Sequence, residues 1–353
     1  MNAVSDSSAG EPLLSVRDLS KTFTTHQRGL FKRTAQQVRA VGNVSFDLKA
    51  GETLGLVGES GSGKTTTARC ILRALKPTAG SVLFRRPGHA PVDLAALRES
   101  ELKPLRPHMQ MIFQDPYSSL NPRMTVGQIV GEPLLIHRLA RGTELEDRVA
   151  VILRLVGLKA EHGSRYPHAF SGGQRQRIGI ARALIMHPSL IVADEAVSAL
   201  DVSVQAQVLN LLKDLQAEFK LTYLFVAHNL DVVRHLCDRV AVMYAGNIVE
   251  LAPTAQLFRA PAHPYTKALL NAVPWPDPDV RMKFDVPGES ADPGNLPSGC
   301  AFHPRCPECF APCKTICPAL LPADGPGRLA ACHAVALRQS SLSASVAPPL
   351  SSS

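Results

Sequence analysis

Residues 58–65 read Gly58-Glu59-Ser60-Gly61-Ser62-Gly63-Lys64-Thr65, with glycines at the first and sixth positions followed by a lysine and a hydroxyl. This spacing cradles phosphate. Glycines let the backbone curl until several N–H groups point inward, and the helix starting near Lys64 aims its positive end at the same point. Lys64 adds a mobile cation for β- and γ-phosphates, and the Thr65 hydroxyl can ligate Mg²⁺. The bland alternative is a glycine-rich turn with a stray lysine. Against it, the octet follows the apolar run Thr53–Val57 and precedes a helix-like stretch from Lys64 to about Leu75.

A second set of groups lies far downstream. Leu190-Ile191-Val192-Ala193 is an apolar strand ending in Asp194 and Glu195. Two acids at a strand end are often just a helix cap, but a nucleotide is already expected here. Asp194 is then placed for Mg²⁺, directly or through water, and Glu195 can polarise a water for in-line attack on the γ-phosphate. Ser198-Ala199-Leu200-Asp201 follows, and His228 ends the next strand. A lone histidine is more often structural, yet this position offers a γ-phosphate contact. Phe170-Ser171-Gly172-Gly173-Gln174 is a serine N-cap with glycines opening a helix, since Ile178, Ala181, Leu184 and Ile185 follow at helical spacing. Such a start is another phosphate seat, although residues 58–65 already supply one. The economical solution is a head-to-tail dimer, each ATP lying between one chain's loop and the other's Ser-Gly-Gly.

Strands alternating with helices must position these groups. The stretch 12–25 reads as a strand and its exit, and 26–39 as a polar, basic loop insertion carrying Leu30 and Phe31. Val44, Phe46 and Leu48 alternate as in a half-buried strand. Residues 115–188 read as mostly helical, with breaks at Pro122, Pro133, Pro167 and Pro188. Val208, Leu211, Leu212, Leu215 and Phe219 recur at helical spacing, Leu221 to Ala227 is a further strand, and residues 240–251 read as a hairpin around Gly246. The order implies an α/β fold with a largely parallel sheet that binds ligand at the strands' carboxyl ends. At 353 residues, 45% hydrophobic and 19% charged, the chain is globular. Its net charge of +8 admits nucleic acid or anionic lipid, but 5% aromatics is thin for a base-stacking surface, so a solvated basic surface is preferred. No apolar run reaches the ~18–20 residues that span a bilayer, and the N-terminus lacks a secretory pattern, so the expected compartment is the cytosol. Six of eight cysteines fall between Cys300 and Cys332, and 14 of 28 prolines between Pro261 and Pro326, which marks a smaller module after about residue 260.

Together these motifs resemble the ATP-binding cassette of the ABC transporter superfamily. The resemblance implies an α/β P-loop NTPase fold of RecA-like type. It carries antiparallel β and α-helical subdomains and a small Cys/Pro-rich C-terminal extension. The cassette would cover residues 12–260, the helical signature subdomain about 115–188, the extension 261–335, and a disordered tail 336–353. By the same resemblance ATP is held by Gly58, Glu59, Ser60, Gly61, Ser62, Gly63, Lys64, Thr65 and Thr66, with Phe23 stacking on adenine. Ser171, Gly172, Gly173 and Gln174 form the signature that acts across the dimer, and Ser198 and Asp201 belong to the D-loop. Glu195, His228 and Gln114 are the catalytic residues, and Thr65, Gln114 and Asp194 serve Mg²⁺. Gln114, in Met111-Ile112-Phe113-Gln114-Asp115-Pro116, also couples the site to membrane subunits. Ala196 stands where the family usually has proline, which loosens the turn and leaves the chemistry intact.

The runs 113–123, 170–182 and 198–203 resemble the oligopeptide/dipeptide importer ATPases, in wording the F-type partner of a D/F pair. The runs 263–269 and 299–307 resemble that group's C-terminal extension. This implies ATP hydrolysis driving uptake of di- or oligopeptides; related importers carry nickel or glutathione. It implies a second, D-type ATPase subunit, two transmembrane permease subunits and, indirectly, a substrate-binding protein. The place would be the cytoplasmic face of the bacterial inner membrane, with no nucleic acid partner. There are two rivals. A soluble ABC protein acting on nucleic acid usually carries two cassettes or a long coiled coil, and neither is present. An ordinary phosphate-loop kinase leaves Ser171 to Gln174 unexplained.

In the cytosol the cysteine cluster is not expected to be a disulfide framework, and metal is preferred over scattered thiols. Spacing offers Cys306-Pro307-Glu308-Cys309 as a C-x-x-C chelate, with Cys313 and Cys317. The family resemblance instead selects Cys300, Cys306, Cys313 and Cys332, and implies a [4Fe–4S] cluster, with zinc as the other choice for four thiolates.

Overall fold

The computed structural model describes residues 11–28, 33–272 and 291–345. It opens with β1 (Pro12–Arg28), β2 (Arg33–Lys49) and β3 (Thr53–Val57), then α1 (Lys64–Ile71). Next come β4 (Ala79–Phe84), β5 (Val92–Asp93), the single turn α2 (Glu99–Leu102) and β6 (Met109–Ile112). A helical block holds α3 (Val126–Ile136), α4 (Gly142–Leu155) and α5 (Gly172–Leu184). Then follow β7 (Leu190–Asp194), α6 (Val202–Phe219), β8 (Thr222–Ala227), α7 (Leu230–Leu236), β9 (Arg239–Tyr244) and β10 (Asn247–Pro253). The C-terminal part carries α8 (Thr254–Arg259), α9 (Pro264–Asn271), α10 (Ala311–Thr315), β11 (Leu321–Pro322), β12 (Leu329–Ala330) and α11 (His333–Ser345).

The main sheet has eight strands in the order β11-β12-β10-β9-β3-β8-β7-β6. Its centre is parallel, with β3 paired to both β8 and β9, β8 to β7, and β7 to β6. Strands β3, β7 and β8 are buried along their whole length, as a sheet covered on both faces requires. Alternate residues feed two cores. Ile191, Ala193, Tyr223 and Phe225 join the helical side, while Leu190, Val192, Leu224 and Val226 join the side covered by β1, β2, β4 and α1. The second sheet, β2-β1-β4-β5, is antiparallel and supplies that cover.

Four expectations differ from the structure. Pro133, read as a helix break, lies inside α3. The segment 26–39 is the outer part of a hairpin and not a loop: pairing runs through Thr24↔Gln37 and His26↔Ala35 to Arg28↔Arg33. Ladder hydrogen bonds need no apolar side chains, so a polar ribbon gives no alternation to read. Leu30 and Phe31 lie outside the described residues. Helix α1 stops at Ile71, short of Leu75, because Arg73 turns left-handed at φ 55°. Residues 336–345, expected to be a disordered tail, continue helix α11, and 346–353 lie outside the described residues.

The C-terminal segment is built onto the main sheet. β12 extends the main sheet by pairing with β10 through Glu250↔Ala330 and Leu251↔Leu329. Tyr265 and Phe302 are buried in the core of the helical side.

Candidate functional site

The carboxyl ends of β3, β8, β7 and β6 stand side by side, with Val57 opposite Ala227, Asp194 opposite Val226, and Ile112 opposite Ala193. The residues that follow each strand therefore converge. From β3 comes the glycine loop, from β8 His228, from β7 Asp194 and Glu195, and from β6 Gln114.

The loop needs its glycines. Gly63 has φ +99° and a Cβ there would strike the Ala40 carbonyl oxygen; at Gly58 it would strike that of Met243. Lys64 folds back, and its Nζ donates to the carbonyls of Gly58 (2.8 Å) and Glu59 (2.9 Å). Burial pulls its pKa down, with Glu195, Asp194 and Glu59 acting the other way. Thr66 follows half-buried on α1, and Ser60 and Gly61 are exposed at the loop's tip.

Thr65 Oγ1 donates to Asp194 Oδ1 at 2.9 Å. Asp194 is only 3% exposed, and burial pushes its pKa up against the pull of Thr65 and Arg69. A buried carboxyl paired with a hydroxyl beside a phosphate loop is an oxygen donor set that suits Mg²⁺. The residues present therefore fit the ion that the family implies.

Glu195 holds φ +48°, a conformation costing about 1–3 kcal/mol for a residue with a side chain. Its backbone is pinned, since its N–H donates to Val226 O (2.9 Å) and its carbonyl accepts from Ser198 Oγ (2.9 Å). That strain aims the carboxylate at the cleft, where Oε2 accepts from Gln114 Nε2 (2.7 Å) and lies 3.3 Å from His228 Nδ1. The three residues expected to be catalytic thus form one contact group. Asp201 caps α6, accepting from the Val204 N–H (2.9 Å) and Ser203 Oγ (2.8 Å), and these bonds hold its pKa below the usual carboxylate range.

Ser171 and Gln174 cap α5 reciprocally. Gln174 Oε1 accepts the Ser171 N–H at 3.1 Å, and Ser171 Oγ accepts the Gln174 N–H at 3.4 Å. The two glycines do different work. A Cβ on Gly173 would collide with Val204 of α6, whereas Gly172 has room for one. Ser171 is exposed at this helix start, and its side-chain hydrogen bond is with Gln174. Phe23 sits on β1 opposite Val38, half-buried, with the Lys21 ammonium 5.0 Å above its ring.

The thiols gather without forming a ligand set. Cys300 N–H donates to Cys313 O at 2.9 Å, and the thiols of Cys300, Cys306, Cys313 and Cys332 influence one another. Burial pushes the Cys300 and Cys306 thiols up to about 11. Glu308, inside the C-x-x-C, is bound to Lys267 (2.8 Å) and Arg338 (3.0 Å). Among the described residues no group of three or more His, Cys, Asp or Glu side chains is arranged to hold a metal. The cysteines therefore do not fit the expected [4Fe–4S] cluster or zinc in this conformation. Spacing cannot tell thiols that share a neighbourhood from thiols that share a centre.

Two residues from the C-terminal part of the chain touch the loop. Tyr265 Oη accepts the Glu59 N–H at 2.9 Å, and Arg305 pairs with the Glu59 carboxylate at 3.0 Å. Both lie in the runs that resemble the importer extension, but nothing in their spacing points to the loop.

A family model described as ABC transporter matches residues 41–198, and one described as the C-terminal region of oligopeptide/dipeptide transporters matches 249–313. The chain is 53% identical over 325 residues to the probable peptide ABC transporter ATP-binding protein y4tS of Sinorhizobium fredii, covering 92% of this chain and 90% of that one. It is 49% identical over 327 residues to the oligopeptide transport ATP-binding protein AppF of Bacillus subtilis, covering 92% and 97%. Among solved structures, the dimeric post-hydrolysis state of the ATP-binding cassette MJ0796 with ADP and Pi is 28% identical. Its TM-score is 0.59 over 68% of this chain and 98% of that one. The protein cbiO1 from Clostridium perfringens, part of the ABC transporter complex cbiONQ, is 26% identical, with TM-score 0.59 over 71% of this chain and 92% of that one.

Proposed function

This chain belongs to the ATP-binding proteins of ABC transporters, in the oligopeptide/dipeptide branch, and from that premise we propose that it is the ATP-hydrolysing subunit energising uptake of di- and oligopeptides through a membrane importer. The observation that carries the chemistry is the contact group Gln114–Glu195–His228 beside Lys64, Thr65 and Asp194. The relatives' peptide names support the cargo class over nickel, glutathione or nucleic acid.

In the proposed mechanism Lys64 leaves the Gly58 and Glu59 carbonyls for the β- and γ-phosphates. Thr65, Asp194 and Gln114 would hold Mg²⁺, which when bound neutralises charge on the transferred phosphoryl group. Glu195 Oε2 orients the attacking water and accepts its proton. Gln114 and His228 keep that carboxylate aimed before ATP arrives, and His228 then turns to the γ-phosphate. Phe23 would stack on adenine. Ser171 to Gln174 would complete the pocket of a second ATPase subunit of D-type, a reading supported by the dimeric state of the similar MJ0796 cassette. Closure of such a pair works because ATP binds the closed dimer better than the open one.

As a member of this family the chain associates with membrane permease components. No helix among the described residues is long and apolar enough to cross a membrane. Exposed Phe113, Tyr117, Leu135, Ile136 and Leu139, on and after the Gln114 segment, suit a face for permease subunits at the cytoplasmic side of the inner membrane. A substrate-binding protein would act through them. The test is a tagged chain purified from membranes. Permease subunits should co-purify, and peptide should stimulate its ATPase. Glu195→Gln should cut turnover by about 10²-fold or more while ATP-dependent pairing persists. Normal turnover in that variant, or RNA or DNA in place of permease, would overturn the assignment.

A further inference from the structure

We propose that the C-terminal extension is part of the nucleotide site: Arg305 and Tyr265 are positioning residues for the phosphate loop, and Arg305 neutralises Glu59 so that the loop accepts a triphosphate. This rests on the ATP reading above and extends it to residues outside the cassette motifs.

The loop contains one anomaly. Its variable positions are Glu59, Ser60, Gly61 and Ser62, so a carboxylate sits inside an anion cradle. Unpaired, it would repel the phosphates that the loop's N–H groups and Lys64 attract. Arg305 meets it as a fork: Nη1 lies 3.0 Å from Oε2 and 3.3 Å from Oε1, and Nη2 lies 3.3 Å from Oε1. The pair is largely sheltered, with side-chain exposures of 11% for Arg305 and 29% for Glu59, so water and salt screen it weakly.

The same residue is held at its backbone. The Glu59 N–H goes to Tyr265 Oη, and the Glu59 carbonyl takes Lys64 Nζ. Both positioning residues rest on a rigid base. Tyr265 and Phe302 pack with Tyr244, ring centroids 4.6 to 5.4 Å apart, and the Arg305 guanidinium stands 5.8 Å from the Phe302 ring. Just past Tyr244, the Gly246 N–H donates to the Ser62 carbonyl at 3.0 Å. The loop is thus gripped from the extension at Glu59 and from the β9–β10 turn at Ser62. Arg305 immediately precedes Cys306, so the loop's charge balance depends on a residue of the cysteine-rich segment.

A purely structural anchor and a charge-neutralising one predict different outcomes. The full chain with Mg²⁺ is titrated with a fluorescent ATP analogue, alongside its thermal midpoint. Arg305→Met should weaken ATP binding by roughly five- to twentyfold, the scale expected for removing one cation from beside the phosphate loop. Arg305→Lys, which keeps the charge but not the fork, should stay within about twofold of wild type. Arg305→Gln, neutral and polar, should bind ATP as weakly as Arg305→Met and keeps the proposal open to refutation should Arg305→Met fold poorly. Unchanged affinity in Arg305→Met or Arg305→Gln, or an Arg305→Lys as weak as Arg305→Met at an unchanged thermal midpoint, would each overturn it. Failure of the wild-type chain to bind ATP would instead remove the underlying ATP reading, and the wild-type titration alone tells the two failures apart.

Discussion

His263 shows how burial sets a residue's chemistry. Its ring is 1% exposed, Nδ1 accepts the Tyr265 N–H at 3.0 Å, and burial pushes its pKa down to about 4. The unfolded chain takes up this proton below about pH 6.5, whereas the folded chain resists until about pH 4. Stability is therefore lost as pH falls through that window, by about 3 kcal/mol in total from this one group. His263→Asn keeps an N-cap for α9 and should flatten the loss. Urea midpoints at pH 7, 5.5 and 4.5 measure this; parallel losses in the two chains would contradict it. At the same scale the residues proposed to hold nucleotide could be picked out in the sequence, because Lys64, Thr65, Asp194 and Glu195 sit at ends of locally determined elements. The partners of Glu195 were less so: Gln114 reaches it from 81 positions away.

At the scale of elements, α5 has one glycine for room and one with space to spare. Gly173 abuts Val204 of α6, so the signature helix is seated by packing as well as by its capping box. Gly173→Ala should cost about 1–3 kcal/mol through that collision. Adding Val204→Ala should recover most of it in urea unfolding, while Gly172→Ala should cost less than Gly173→Ala. Equal losses at both glycines would show that backbone freedom, not the α6 contact, sets the requirement. The sequence pattern revealed this helix because apolar spacing and a serine cap are local signals. It hid the β1–β2 hairpin tip, where Thr24 to Arg28 pair with Arg33 to Gln37 along a polar stretch with no apolar alternation.

Across the whole molecule, the C-terminal module is joined to the cassette by a buried charge. The Glu250 side chain is fully buried on β10 and accepts from the N–H groups of Ala262 (2.9 Å) and His263 (2.8 Å) and from Arg328 (3.1 Å). Arg328 also donates to the Ala260 carbonyl. Arg328→Met strands this carboxylate and should destabilise the fold by about 3–5 kcal/mol. Replacing both residues by methionine should cost clearly less, because no buried charge is then left alone. Thermal unfolding of the two variants checks this; a larger loss in the double variant would refute the burial argument. Glu250 stands in an apolar strand, and its cation lies 78 residues away, where no local pattern links the two.

What the amino-acid order determined by itself was the chemistry and its family. Glycine spacing, apolar strands ending in acids and capped helix starts act over a few residues, and local sterics make them readable. Tertiary structure alone decided which distant groups meet. It set Arg305 and Tyr265 on Glu59, brought the thiols near one another without making them a ligand set, and paired polar strands that carry no periodic signal. Those outcomes depend on long-range packing and burial, whose energy belongs to the assembled core and to no single segment.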